Sequence, residues 1–144
     1  MIRRPLWSVV AMALALLAVS CSRSQPLVPV KGQVLFDGKP TPHALVVLHP
    51  LKGAGPDSVR PRGHVGADGS FQLTTHSPQD GAPPGEYAVT VEWWLTQATK
   101  NSPEGSDLPP ANRLPARYSR VETSGLRATI TEGVHELPVF KLSR

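Results

Sequence analysis

The sequence predicts an all-β domain, built as an antiparallel seven-stranded sandwich, and three observations support this. Proline occupies 16 of the 144 positions, about twice its usual share of roughly 5%, and each proline removes a backbone donor that a long helix needs. Apolar residues recur with a period of two in several short segments, which is typical of half-buried strands. Asp-Gly and Pro-Gly pairs, which favour tight turns, separate these segments.

The chain begins with a segment typical of protein export. Arg3 and Arg4 form a positive start, and an apolar run of fourteen residues follows at positions 6–19. This run has the length of a secretory signal, whereas a membrane-spanning helix needs about 20 residues. We therefore expect the protein to leave the cytoplasm.

Cys21, the single cysteine, follows the apolar run after three small residues. Leu17-Ala18-Val19-Ser20-Cys21 resembles the lipobox of bacterial lipoproteins, although Ala18 stands where leucine is usual. The resemblance implies a lipoprotein signal peptide over residues 1–20, fatty acyl chains such as palmitate on Cys21, and a polar tether over 21–27. The alternative is a plain signal peptide with an incidental cysteine. A lone cysteine leaves the domain at 28–144 without an internal disulfide.

Seven segments of that domain are predicted as strands. Asp37-Gly38 closes the first segment, the second is apolar on both faces, and Asp68-Gly69 joins the third and fourth as a hairpin. Pro83-Pro84-Gly85 precedes the most regular segment, and Pro138 places the last one at a sheet edge or bulge. The segments are residues 28–36, 44–49, 63–65, 71–75, 86–94, 126–130 and 134–142.

Trp93-Trp94 is the candidate contact feature. Successive strand residues point to opposite faces, so Trp93 continues the core face of Tyr87 while Trp94 joins Glu92 on the outer face. Residues 95–120 follow with four prolines and no periodicity, and loops of this length are often functional. Trp94 is therefore the predicted ligand contact, and the alternative is that the 95–120 loop covers it.

The remaining residues carry no signal of catalysis, metal or cofactor binding. None of the five histidines has the spacing of a metal site, and we expect His43 and His49 to be solvated loop residues. Asp37, Asp68 and Asp80 each precede glycine and are explained as turn residues. Without Arg3 and Arg4, 13 basic residues stand against 11 acidic ones, so the charge does not favour a nucleic-acid partner.

Seven motifs follow one another at residues 30–34, 37–40, 44–48, 66–71, 83–91, 114–118 and 123–126. Their order resembles that of carboxypeptidase regulatory-like domains, which are transthyretin-like sandwiches of this size. The last two motifs resemble a form found in small planctomycete lipoproteins. The resemblance implies a transthyretin-like fold and a cell-surface setting, with structural roles for the matched residues.

From these patterns we expect a non-catalytic, lipid-anchored module of the cell envelope, on its periplasmic or surface face, with a structural or protein-interaction role. Its expected partners are the membrane, through the lipid anchor, and an envelope protein or glycan. One alternative is a carbohydrate- or cell-wall-binding module that uses Trp94 and the 95–120 loop. Another is an enzyme on a transthyretin-like scaffold, because fold alone does not decide function.

Overall fold

A computed structural model describes residues 25–94, 111–133 and 136–144. These residues are mostly strands with one short 3-10 helix, so the all-β prediction is confirmed. The elements are β1 (Lys31–Phe36), β2 (Lys39–Pro40), β3 (Leu45–Pro50), β4 (Arg62–His64), β5 (Ser70–Gln72), β6 (Gly85–Glu92), the 3-10 helix (Ala116–Ser119), β7 (Leu126–Ile130) and β8 (Phe140–Leu142).

The strands form two sheets. In the first, β1 pairs with β2 and β5 in antiparallel register and with β8 in parallel register. The second sheet is antiparallel throughout and has the order β4-β3-β6-β7. Side chains of both sheets enter one apolar cluster, which gives the domain a sandwich-like build.

The core follows the alternation of the strands. In β7, Ala128 and Ile130 are buried while Arg127 and Thr129 are exposed. The central strand β6 lies between β3 and β7, and its residues from Tyr87 to Val91 are buried on both faces, whereas Glu92 at its end is half-buried. Phe71 and Phe140 stack with ring centroids 6.3 Å apart and fill the space beside β1.

The third and fourth predicted segments do not form one hairpin in a sheet, because β4 pairs with β3 and β5 pairs with β1. Two further details differ from an antiparallel arrangement of seven strands. Asp37 and Gly38 both have positive φ, so the chain folds straight back and adds the two-residue strand β2. The second detail is the parallel pairing of β8 with β1. Since β7 ends beside the start of β6, close to where β1 begins, the next segment meets β1 at Lys31 and runs along it in the same direction.

The domain has two distinct ends. At the tether end, Val28 pairs with Ala82 just before β1, through backbone hydrogen bonds of 2.9 and 3.0 Å. At the opposite, tryptophan end, Phe36 closes β1 and packs edge-on against Trp93, which follows β6. No helix in the described ranges is long and apolar enough to cross a membrane.

Candidate contact surface around Trp94

The two adjacent tryptophans have opposite surroundings. Trp93 turns toward the core, where its indole N–H donates to the carbonyl of Pro42 at 2.8 Å. Trp94 is 39% exposed, and its indole N–H donates to Glu92 Oε2 at 3.0 Å. The alternation predicted from the sequence therefore holds at this position, while a ligand contact at Trp94 stays a prediction.

Asn112 holds the chain segment after residue 110 against the tryptophans. Its Oδ1 accepts hydrogen bonds from the backbone N–H groups of Trp93, at 3.0 Å, and Leu114, at 3.1 Å. Its Nδ2 donates to Ser119 Oγ at 2.8 Å. One side chain thus joins the end of β6 to the 3-10 helix.

Part of the predicted 95–120 loop therefore belongs to the core. Leu114 and Tyr118 are buried, and Arg113 lies over the Trp93 ring with its Cζ 4.7 Å from the centroid. The described part of this loop packs on Trp93 and pairs with Trp94 through Asn112. Residues 95–110 lie outside the described residues.

Trp94 stands at one corner of the outer face of the second sheet. Cross-strand register places His64, Leu45 and Glu92 in one row and Arg62, Val47 and Thr90 in the next. Leu45 and Val47 are half-buried, whereas Arg62 and His64 on the edge strand β4 are exposed. Thr90 is buried. We call these six residues and Trp94 the outer face. It has an apolar middle, a basic edge and one exposed indole.

His49 differs from the expected solvated loop residue because it lies in β3 and is half-buried. Its Nε2 is 2.9 Å from Thr90 Oγ1 on the neighbouring strand. Burial, followed by the nearby charge of Arg60, lowers the pKa of His49 below its ordinary value of 6.5, while Glu122 acts in the opposite direction. The side chain therefore favours its neutral form. His43, by contrast, is exposed in the turn before β3, as expected.

The three Asp-Gly pairs form turns, as predicted. Asp68 accepts from both the backbone N–H and the hydroxyl of Ser70, at 3.0 and 2.7 Å. Asp80 accepts from the backbone N–H groups of three residues, Thr75, His76 and Ser77. Desolvation would raise the pKa of Asp80, but these donors lower it below its ordinary value of 3.8. These carboxylates are engaged in closing their own turns.

A clasp at the end of β8 was not anticipated from the sequence. The Tyr118 hydroxyl accepts from the Ser143 N–H at 3.0 Å and donates to the Ser143 carbonyl at 3.2 Å. Arg117 also donates to that carbonyl and to the Tyr118 hydroxyl. Burial alone would raise the pKa of Tyr118, but the donors from Ser143 and Arg117 lower it below 10.0. The only sequence signal was an isolated Arg-Tyr pair in a stretch without periodicity.

The other predicted site, Cys21, lies outside the described residues, as do most residues of the tether. Across the described ranges, no group of three or more His, Cys, Asp or Glu side chains is arranged to hold a metal ion. Comparisons with protein-family models, curated proteins and solved structures find no match to this chain. The functional argument therefore starts from the surfaces of the domain.

Proposed function

We propose that this chain is an exported, lipid-anchored and non-catalytic module of the cell envelope, with a structural or protein-interaction role on a transthyretin-like sandwich. One observation carries the proposal: the chain enters the domain at the Val28–Ala82 pair, the end opposite to Trp94. A protein held at Cys21 would therefore present its exposed tryptophan away from the attachment point.

The tether end is suited to bear such an attachment. Val28 is bonded to Ala82 in both directions, and the Val30 carbonyl accepts from Leu73. The chain is thus fixed to the fold within a few residues of the tether. Two fatty acyl chains suffice for stable membrane anchoring, because each buried methylene contributes about 0.8 kcal/mol. This combination favours a domain held at one end with its opposite end free for contacts.

The test of anchoring is cell fractionation of the full chain and its Cys21→Ala variant. We expect wild-type protein in the membrane fraction and Cys21→Ala in the soluble or unprocessed pool, with Ser22→Ala as a matched control that behaves like wild type. Mass spectrometry of the wild-type N-terminus should show acyl chains on Cys21. A free Cys21, or a terminus cut at another residue, would contradict lipid anchoring.

A second candidate function is a carbohydrate- or cell-wall-binding module. The observation that favours it is the exposed indole of Trp94, whose N–H is already satisfied by Glu92. Such a ring can place its flat apolar face against a partner at a small desolvation cost, because its single N–H donor already has a hydrogen-bond acceptor. The C–H face of a sugar ring is a surface that stacks on an indole in this way.

A further inference from the structure

The outer face combines an aromatic corner with a basic edge. Trp94 and Glu92 lie on the extension and the end of β6, while Arg62 and His64 lie on β4, two strands away. The two ion pairs of the described residues, Lys52–Glu86 and Arg144–Asp37, involve neither Arg62 nor His64. The positive charge of Arg62 therefore has no carboxylate partner within the described residues and can pair with an acidic ligand.

From these features we propose that the outer face binds an acidic polysaccharide, a polymer of uronic-acid type, laid from Trp94 across to Arg62. This proposal rests on the second candidate function and narrows it to one class of glycan. It also moves the binding surface from the 95–120 loop to the sheet.

The spacing of the face suits an extended polymer. Two strand spacings and four residues along a strand separate Trp94 from the row of Arg62, a span of roughly 16 Å. Leu45 and Val47 lie between these corners and are half-buried. A span of this size has room for several linked sugar rings, so a single polymer can reach both the indole and the guanidinium of Arg62.

The two corners supply different kinds of contact. At Trp94 a ring stacks on the indole, and Glu92 accepts the indole N–H with Oε2; its Oε1, which has no hydrogen-bond donor among the described residues, can accept from a sugar hydroxyl. At β4, the Arg62 guanidinium presents a planar fork that matches a carboxylate. The negative charge of Glu92 disfavours an acid at the Trp94 corner. The carboxylates of the polymer are therefore expected at the β4 edge.

The test is native gel electrophoresis of the full chain through gels containing alginate, a polyuronate, or hydroxyethyl cellulose, a neutral polymer. We expect alginate to retard the wild-type protein more strongly than the neutral polymer does. Trp94→Ala should weaken the affinity for alginate about tenfold, as loss of an aromatic anchor does. Arg62→Gln should weaken it less and should reduce its dependence on salt.

Two control variants lie in or just before β8, away from the outer face. Val139 is 41% exposed, so Val139→Ala matches the loss of an exposed apolar side chain, and Lys141→Gln matches the loss of an exposed cation. Both should migrate like wild type in alginate, once changes of mobility in a polymer-free gel are subtracted. Circular dichroism and urea unfolding of each variant separate a lost contact from a lost fold. If Trp94→Ala proves unstable, Arg62→Gln alone still tests whether the outer face binds alginate.

The outcomes separate this proposal from the function on which it rests. Retardation by the neutral polymer alone, or equally by both, overturns the acidic class but leaves a carbohydrate-binding module standing. Retardation by neither polymer overturns both. Retardation by alginate that Trp94→Ala and Arg62→Gln leave unchanged overturns the assigned surface. Fractionation of Cys21→Ala reports on lipid anchoring independently of all three results.

Discussion

The tether end and the tryptophan end differ in the sequence range of the side-chain hydrogen bonds that stabilise them. At the tether end, Asp80 bonds to residues three to five positions away, and Gln79 donates to Thr74 Oγ1. At the tryptophan end, the indole of Trp93 reaches Pro42, 51 positions earlier, and Asn112 bonds to Trp93 across 19 positions. The tether end thus contains a turn closed by its own side chains beside the long-range pairing of Val28 with Ala82. The side chains of Trp93 and Asn112 at the tryptophan end bond only to segments that meet in the folded chain.

This difference shows which parts of the fold depend on the rest. A short turn closes at little entropic cost and can form with its own side chains. The tryptophan end must bring distant segments together, and its polar groups are satisfied only when all segments are in place. Substitutions at the two ends should therefore change the stability of the domain for different reasons.

The largest effect is expected at Gly81 of the tether end. Gly81 has φ of +92°, and a Cβ at this position would lie 1.9 Å from the Val28 carbonyl oxygen. Because that neighbour is backbone, Gly81→Ala should lower the free energy of unfolding by about 3 kcal/mol or more. Urea denaturation measures this loss. Gly55→Ala is the control, since nothing lies within 4 Å of its Cβ, and equal midpoints for the two variants would contradict the close packing.

At the tryptophan end, Asn112→Ala removes the acceptor of two backbone N–H groups and the donor to Ser119. We expect a loss of about 2 kcal/mol of stability, because partly buried donors remain unsatisfied. Tryptophan fluorescence during urea unfolding reports on both the stability and the surroundings of Trp93. Asn112→Asp keeps the acceptor oxygen and should lose less; a loss as large as that of Asn112→Ala would show that the Oδ1 bonds are not the main contribution.

Thr41 also lies at the tryptophan end, but a substitution there should raise the stability of the domain instead of lowering it. It is fully buried, and its hydroxyl has no hydrogen-bond partner within the described part of the chain. Thr41→Val replaces that hydroxyl with a methyl group of similar size and should stabilise the domain by about 1 kcal/mol. Thermal unfolding checks the sign. Thr41→Ser keeps the hydroxyl and loses the methyl group, so it should be less stable than wild type. If Thr41→Val were less stable than wild type, the conclusion that the Thr41 hydroxyl lacks a hydrogen-bond partner would be contradicted.

The smallest effect concerns the pH dependence of the turn at Asp80. Hydrogen bonds from Thr75, Ser77 and His76 outweigh desolvation and hold the pKa of Asp80 below 3.8, so the folded state binds the proton less tightly than the unfolded state. The stabilisation is then fully present above pH 3.8 and is lost as the pH falls through the lowered pKa of the folded state.

Comparison of the wild type with Asp80→Asn tests this pH dependence. The variant should be less stable near neutral pH, and the difference should shrink in acid. Urea midpoints measured from neutral to strongly acidic pH give the comparison, and Asp57→Asn controls for the loss of one negative charge in an exposed loop. A constant difference at all pH values would exclude a contribution from the charge of Asp80.

Local patterns in the sequence determined the all-β class, the turns at Asp37, Asp68 and Asp80, and the opposite orientations of Trp93 and Trp94. Each follows from a property that acts over a few residues: the period of a strand, or the ability of an Asp-Gly pair to close a turn. Residues adjacent in sequence therefore determine these features, independently of the position of the rest of the chain.

Only the tertiary structure decided the parallel pairing of β8 with β1, the position of His49 beside Thr90, the role of Asn112 and the clasp between Tyr118 and Ser143. In each case the partners are separated by many residues, and no local sequence pattern predicts which residues will meet. The direction of β8, for example, depends on where β7 ends relative to β1. Such pairings arise because the two sheets must bury one shared core and satisfy the polar groups at its ends together.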